Sequence, residues 1–268
     1  MPEFVTVEYP RDGVALVTMA NPAINNHGSW AGIMELADGL ATAREAGVRA
    51  AVLASGVEGH WFEHAWLQDL ADGVEGKPTT ASGAAWFRAL QELGQTDVVT
   101  IAAISGDCSG GGAELGWACD LRIAEEQALF GQPEVQIALT TGIGGTSRLA
   151  RLIGRTAAAE MVLLGRPMTA RRIYELGGVN RVVARGMSKA MALDWTARIA
   201  AQPLKPVAAL KAILRGNDDL TLTDALANEQ RLFQSVATTP ESIAAMRSIQ
   251  ARFDAGESIR TVYGDPLA

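Results

Sequence analysis

The sequence predicts an α/β fold in which a core of alternating strands and helices is followed by a helical C-terminal extension. Apolar runs of strand length alternate with helical patterns through the front half of the chain, which is typical of α/β folds. The back third shows mostly helical spacing of its apolar residues. The chain has 268 residues, enough for one large domain or for a core domain with a small appendage. We place the core in residues 1–200 and the helical region in residues 201–268.

The first elements predict a hairpin and then a pair of parallel strands. Residues 4–9 alternate apolar and polar side chains, and residues 14–19 (VALVTM) form an apolar run, with a short turn between them. Residues 29–46 carry apolar side chains at helical spacing and are followed by Gly47, a candidate C-cap. Residues 50–54 (AAVLA) then predict a short buried strand. A strand–helix–strand unit of this kind favours parallel pairing.

The rest of the chain predicts one irregular segment, two turns rich in glycine and many short elements. Residues 56–78 are irregular, and the glycine-rich turns lie at residues 106–112 and 140–145. We predict strands at residues 97–105, 120–124, 128–130 and 179–183. We predict helices at residues 81–93, 113–118, 146–153, 157–164, 170–176, 188–201, 206–215, 222–233 and 240–253.

The net charge and the cysteine content argue against several classes of protein. The formal net charge is -7 at pH 7, so the chain has no electrostatic reason to bind nucleic acid or an anionic membrane. Cys108 and Cys119 fit no zinc motif and are too few for a disulfide framework, which favours two reduced thiols. Residues 1–10 lack the apolar segment of a signal peptide, and the longest apolar run, residues 98–104, is too short to span a bilayer. We therefore expect a cytoplasmic protein.

Residues 106–114 (GDCSGGGAE) join a predicted strand to a predicted helix. Backbone N–H groups at such a junction often bind a negatively charged group. Their spacing matches neither the dinucleotide fingerprint nor the phosphate loop. Residues 106–110 match a cysteine version of the nucleophile elbow, but that elbow needs a downstream histidine. The three histidines, His27, His60 and His64, all lie upstream. Two interpretations remain: an oxyanion site made by the glycine N–H groups, or a tight turn without a ligand.

Two glutamates are candidates for acid–base chemistry. Glu114 directly follows the glycines, and Glu134 precedes the largely apolar residues 135–139. A carboxyl in apolar surroundings has a raised pKa, as a general acid requires. Two such carboxyls could hold a water molecule, one taking its proton and the other donating a proton to carbon. Alternatively, each is a structural glutamate, at a helix N-terminus or at the surface.

Three motifs resemble the crotonase superfamily, also called the enoyl-CoA hydratase/isomerase family. Residues 101–115 (IAAISGDCSGGGAEL) resemble its IAAVNGxAxGGGxEL segment. Residues 120–124 (DLRIA) with residues 128–134 (ALFGQPE) resemble CDxxIAxExAxFGQPE, and residues 142–149 (GIGGTSRL) resemble PGxGGTQRL. The resemblance covers nearly the whole chain.

This resemblance implies a crotonase-like spiral of ββα units with C-terminal helices, assembled as a homotrimer or a hexamer. It also implies that two backbone N–H groups stabilise a thioester enolate, and we place these donors at Glu63 and Gly111. Glu114 and Glu134 match the paired glutamates of the hydratases. Gly142 matches a glycine that helps to position the substrate water.

The implied function is hydration of a 2-enoyl-CoA. Glu114 would assist the attack of water at the β-carbon, and Glu134 would supply the α-proton. The resemblance also implies substrate contacts for His64, Ala65, Trp66 and Gly110. Coenzyme A would enter as part of an acyl-CoA substrate, and neither a metal nor another cofactor is implied.

One segment departs from the family pattern. Where the family usually has FCAGADL, residues 61–67 are WFEHAWL. Either this loop is rearranged without a chemical role, or Glu63 or His64 adds a titratable group to the site. The second interpretation favours a coenzyme A-independent hydrolase that cleaves a carbon–carbon bond of a free β-diketone. An enoyl-CoA isomerase and a non-catalytic scaffold are the further alternatives.

Overall fold

In the computed structural model of the chain, residues 3–265 are described, and they confirm the α/β class. The chain divides into two compact units, Met1–Leu204 and Lys205–Ala268. The described strands all lie in the first unit. They are β1 (Val5–Arg11), β2 (Val14–Met19), β3 (Ala50–Ser55), β4 (Val99–Ile104), β5 (Cys108–Ser109), β6 (Leu121–Glu125), β7 (Leu129–Gly131), β8 (Met168–Thr169) and β9 (Arg181–Val183).

A six-stranded sheet in the order β1-β2-β3-β4-β6-β9 forms the centre of the first unit. β1 and β2 form the predicted antiparallel hairpin, and the other neighbours pair in parallel. Successive side chains of a strand point to opposite faces, so Leu16 and Val17 of β2 belong to different apolar clusters. β4 is buried along its whole length, which explains its continuous apolar sequence.

Helices cover both faces of this sheet. α1 begins after Ser29, whose Oγ accepts a hydrogen bond from the N–H of Gly32 at 3.1 Å, as an N-cap does. The helices of the first unit are α1 (Trp30–Glu45), α2 (Leu67–Val74), α3 (Ala84–Leu93), α4 (Gly110–Ala118), α5 (Ser147–Ile153), α6 (Arg155–Leu164), α7 (Ala170–Glu175) and α8 (Ser188–Ala200). Short 3-10 helices lie at Pro22–Ile24 and Glu134–Ile137.

A second, three-stranded sheet in the order β5-β7-β8 positions the two glutamates. β5 and β7 pair in parallel, with Ser109 opposite Gly131. α4 follows β5 directly, and the 3-10 helix that begins at Glu134 follows β7. Two segments that leave neighbouring parallel strands start side by side. The residues after β5 and those after β7 therefore emerge at the same edge of this sheet.

The second unit consists of helices in its described part. Its helices are α9 (Leu204–Gly216), which starts at the boundary, α10 (Leu222–Ala237), α11 (Pro240–Asp254) and α12 (Ile259–Tyr263). The hydroxyls of Thr221 and Thr239 cap α10 and α11. None of the helices within residues 3–265 combines the length and the apolar character needed to cross a membrane.

Candidate active site

The first turn of α4 packs directly against residues 62–64. Gly110 has φ 47°, a left-handed conformation that favours glycine. A Cβ atom added at Gly110 would lie 2.6 Å from His64 Cβ and 3.4 Å from Glu134 Oε1. A Cβ atom added at Gly112 would overlap the carbonyl oxygens of Phe62 and Glu63. The glycines are therefore required by close backbone approach, and His64 and Glu134 border the same point.

The N–H of Gly111 is available to a ligand. The first N–H groups of a helix have no partner within the helix, and the helix dipole adds positive potential there. α4 has no side-chain cap, and no acceptor for the Gly111 N–H is found within residues 3–265. Its availability is compatible with the predicted role as an oxyanion donor.

The N–H of Glu63 is already occupied, which corrects the prediction that it is the first oxyanion donor. It donates to the carbonyl of Asn26 at 3.2 Å, and Asn26 is fully buried. The carboxylate of Glu63 accepts a hydrogen bond from Ser109 Oγ at 2.7 Å and contacts His60 Nδ1 at 2.9 Å. Glu63 therefore ties its loop to the start of α4.

The next candidate donor along this segment is the N–H of Ala65. The carbonyl of His64 accepts from the N–H of Gly28 at 2.9 Å, and the N–H of Trp66 donates to the carbonyl of Gly28 at 3.0 Å. In a trans peptide the C=O and N–H point in opposite directions, so the His64–Ala65 peptide directs its N–H away from Gly28. In the described part of the chain, this N–H meets no acceptor.

Glu114 is buried and held by a preformed turn. Its side chain is 3% exposed, and its Oε1 accepts hydrogen bonds from the N–H groups of Gly145 at 2.6 Å and Ile143 at 3.1 Å. Arg148 donates to the carbonyl of Ile143 at 2.7 Å and braces this turn. Burial raises the pKa of the Glu114 carboxyl, although the two N–H groups act in the opposite direction. The charge of Glu134 raises it further, which places the two carboxyls in one electrostatic environment.

Glu134 is positioned by Gln132, a residue that the sequence analysis did not single out. Gln132 is fully buried. With its amide oriented to satisfy both neighbours, it donates to Glu134 Oε1 at 3.0 Å and accepts from the indole N–H of Trp117 at 3.3 Å. Burial raises the pKa of Glu134. The structure therefore brings together two carboxyls that each retain a proton to higher pH than an exposed glutamate does.

Glu114→Gln is expected to raise the free energy of unfolding at about pH 8 and to leave it nearly unchanged at about pH 4. Glutamine keeps the Oε1 acceptor that both N–H groups use, and it removes the ionised form that burial disfavours. Because the folded-state pKa is raised, ionised Glu114 destabilises the fold once the pH exceeds the ordinary carboxyl range. Urea unfolding of both proteins at the two pH values measures this.

Glu126→Gln is the matched control for this measurement, because Glu126 is exposed. It should show no such gain. A gain from Glu114→Gln of equal size at both pH values would contradict the explanation, since the effect must follow ionisation.

The chain's three histidines converge beside this site. His64 Nε2 lies 3.2 Å from His27 Nε2, and the two rings meet edge to face with centroids 4.3 Å apart. The ring of Trp66 packs edge-on against His27 at 5.8 Å, and His60 contacts Glu63. No group of three or more His, Cys, Asp or Glu side chains in the described chain is arranged to hold a metal ion.

The cysteine of the glycine turn is not placed as a nucleophile. Cys108 lies in β5, is 1% exposed and is a free thiol. Burial raises the pKa of the Cys108 thiol well above its usual range, so the thiol stays protonated. A thiolate is the nucleophilic form of cysteine, which agrees with the rejection of the elbow.

An open cleft of about 520 Å³ adjoins the turn that binds Glu114. Gly142 lines it, and a Cβ atom added there would have no described atom within 4 Å apart from those of Gly142 and its two chain neighbours. α3 supplies the opposite wall through Phe87, Leu90 and Gln91. Ile143, whose N–H binds Glu114, also lines the cleft, and the role of Gly142 in positioning water stays a prediction.

Comparisons with known proteins agree with this geometry. A family model described as "Enoyl-CoA hydratase/isomerase" matches residues 10–252. The 2,3-dehydroadipyl-CoA hydratase of Escherichia coli (strain K12) is 30% identical over 229 residues, which are 85% of this chain and 88% of that protein. The enoyl-CoA hydratase from Bacillus anthracis has a similar structure, with a TM-score of 0.84 at 28% identity over 93% of this chain and 97% of that chain.

Some relatives match over a shorter stretch. A protein of Rhizobium meliloti (strain 1021), described as "Probable enoyl-CoA hydratase", is 39% identical over 152 residues, which are 57% of this chain and 59% of that protein. A Dictyostelium discoideum relative is matched over 53% of its length. The chain thus spans little more than half the length of these two relatives.

Proposed function

The chain belongs to the enoyl-CoA hydratase/isomerase family, and from this membership we propose that it adds water across the conjugated double bond of a 2-enoyl-CoA. The thioester oxygen would accept hydrogen bonds from the N–H groups of Ala65 and Gly111. Glu114 and Glu134 would hold the water between them. Glu114 takes a proton from the water as it attacks the β-carbon, and Glu134 gives a proton to the α-carbon of the resulting enolate.

One observation carries this proposal: the buried Glu114 and the half-buried Glu134 both have raised pKa values, and Glu134 borders Gly110 at the uncapped start of α4. Donors in a water-poor site stabilise developing negative charge more strongly than they do in water. An enolate oxygen bound there would lie near both carboxyls. Addition of water needs one carboxyl to accept a proton and one to donate, whereas simple isomerisation can proceed with a single group.

Coenzyme A enters this mechanism as part of the substrate, and the proposed steps use no additional cofactor. The cleft beside Gly142 and α3 would receive the acyl group. The rings of His27 and Trp66 would border the approach to the Ala65 N–H, so these residues would restrict the part of the substrate next to the thioester.

Acetoacetyl-CoA tests this function, because its enolate-like dicarbonyl group places an oxygen where the enolate would form. Calorimetry on the wild-type protein should show micromolar binding, about -8 kcal/mol. Coenzyme A without an acyl group is the matched ligand and should bind at least tenfold more weakly, since it cannot reach the backbone donors. A panel of 2-enoyl-CoA substrates then gives the acyl preference.

Absence of binding would contradict the proposal and favour a second candidate, the hydrolase of free β-diketones. The observation in its favour is the pair of His64 and His27, with His64 beside Gly110, which supplies titratable groups that a hydratase does not require. The same calorimetry with a free β-diketone separates the two candidates, because only the hydrolase would bind a diketone without coenzyme A.

We also propose assembly as a homotrimer or a hexamer. The second unit leaves large apolar side chains exposed, including Leu214, Leu222 and Ile259 at 75%, 76% and 72%. Exposed apolar surface of this extent is typical of interaction sites. Light scattering after size-exclusion chromatography gives the mass in solution, and a monomer would contradict the assembly.

A further inference from the structure

The hydrogen bonds of His27 and His64 fix how many protons the two rings hold. A carbonyl oxygen only accepts hydrogen bonds. His27 Nδ1 contacts the carbonyl of Ile24, and His64 Nδ1 lies 2.7 Å from the carbonyl of Ala65. Both Nδ1 atoms must therefore carry a proton to satisfy these contacts.

The two Nε2 atoms then require one more proton between them. They lie 3.2 Å apart, which is a hydrogen bond only if one of them is protonated. Without that proton, two lone pairs would face each other. While this hydrogen bond is made, the two rings therefore hold three protons on four nitrogens, and the pair then carries one positive charge.

The pair joins the two segments that orient the Ala65 N–H. His27 precedes Gly28, whose N–H and C=O bind the carbonyl of His64 and the N–H of Trp66. His64 Nδ1 donates to the carbonyl of Ala65. The Nε2–Nε2 hydrogen bond thus closes a side-chain bridge next to the backbone bridge between the same segments. Breaking the Nε2–Nε2 hydrogen bond removes one of the two bridges that hold the His64–Ala65 peptide, whose N–H is the proposed donor.

We propose that His27 and His64 share one proton and act as a positioning pair that fixes the Ala65 N–H for an oxyanion, a role that rests on the proposed function. Neither ring has a nitrogen left for the substrate, so the pair acts through the backbone. In its protonated state the pair also places a positive charge near the point where the enolate would form, and the carboxylate of Glu63 favours that state of His27.

The positive charge of the pair is lost as pH rises. Burial lowers the pKa of His27, the carbonyl of Ile24 opposes this, and the charge of His64 adds to the lowering. Glu63 raises it and His60 lowers it by smaller amounts, and Glu134 faces His64 across Gly110. The hydrogen bond between the two Nε2 atoms is therefore made at low pH, where the shared proton is bound. It opens as rising pH removes the shared proton.

Nuclear magnetic resonance of the full chain without ligand tests the shared proton directly. The chain has three histidines, so three ring systems are followed across the pH range. The nitrogen resonances of His27 and His64 should change in one linked step, and the amide resonance of Ala65 should change with them. His60 serves as the internal reference. Separate, unrelated steps for His27 and His64 would overturn the proposal.

Two variants separate positioning from a merely structural role. In His27→Gln the side-chain amide can donate its N–H to the neutral His64 Nε2 and can accept with its oxygen from the protonated ring, so the contact persists at any pH and the pH step of the Ala65 amide should disappear. In His60→Gln, the matched control, the step should remain. An Ala65 amide that follows pH in His27→Gln as it does in the wild type would overturn the proposal. The wild-type titration decides the question even if a variant fails to fold.

Activity adds a readout that distinguishes this inference from the proposed function. The ratio of kcat/KM of the wild type to that of His27→Gln should fall about three- to tenfold as pH rises through the linked step, the scale of one hydrogen bond. A constant ratio with measurable hydration would overturn the positioning role alone. No hydration by any of the proteins would instead contradict the proposed function, and the resonance titration would still test the shared proton.

Discussion

Glu134→Gln is expected to lower the turnover of a 2-enoyl-CoA by about two orders of magnitude or more, the usual scale for the loss of a general acid. Glutamine keeps the size and the hydrogen-bonding capacity of the carboxyl, and Gln132 can still contact it. Its amide has no acidic proton to transfer to the α-carbon. The loss should therefore appear in kcat, with a smaller change in KM, when hydration is followed by the loss of the conjugated double bond.

The pH profile makes this prediction more specific. Burial raises the pKa of Glu134, so in the wild type the donating form is lost on the alkaline limb. The residual activity of Glu134→Gln should not show the fall at alkaline pH that is caused by deprotonation of Glu134. Glu126→Gln changes an exposed glutamate in the same way and should retain wild-type turnover. Unchanged turnover in Glu134→Gln would contradict the assignment of the acid.

Much of the fold could be predicted because its signals are local. The hairpin, α1 and the central strands follow from apolar periodicity. The sequence does not predict α2, because the helix begins at Leu67, after an N-cap residue, Trp66, that makes no side-chain cap, in a segment rich in glycine. α4 begins at Gly110, earlier than predicted, because glycine is a poor helix former and packing against residues 62–64 sets the start.

The candidate site was predictable where a motif carries it and unpredictable where distant segments meet. Glu114, Glu134 and Gly111 lie in motifs that the sequence displays. The assignment of the Ala65 N–H rather than the Glu63 N–H as the first candidate donor depends on the backbone hydrogen bonds of Gly28, which lies far earlier in the chain. No local pattern shows which N–H of a loop remains without an acceptor.

Asn26 illustrates the same limit. Its side-chain amide donates to the carbonyl of Met19 at 3.1 Å, to Ser55 Oγ at 2.8 Å and to the carbonyl of Trp61 at 2.9 Å. It joins the end of β2, the end of β3 and the loop that carries Ala65. An asparagine in a loop is ordinary in sequence, and only the tertiary structure gives it this role.

Gly112→Ala is expected to lower the free energy of unfolding by about 3 kcal/mol or more, at the upper end of the range for overpacking. The added methyl group would overlap the carbonyl oxygens of Phe62 and Glu63, and backbone atoms cannot move aside as a flexible side chain can. The displaced segment would carry the Ala65 N–H with it. Urea unfolding measures the stability, and calorimetry with acetoacetyl-CoA should show weaker binding by the protein that remains folded.

Gly142→Ala is the matched control, because it adds the same methyl group to another glycine of the site. Apart from Gly142 and its two chain neighbours, no described atom lies within 4 Å of the added group, so stability should stay within about 0.5 kcal/mol of the wild type. If Gly142 positions the substrate water, turnover should fall while stability holds. A Gly112→Ala protein as stable as Gly142→Ala would contradict the close packing of α4 against residues 62–64. Because both substitutions remove a glycine and add one methyl group, the difference between them isolates the close backbone approach on which the proposed oxyanion site depends.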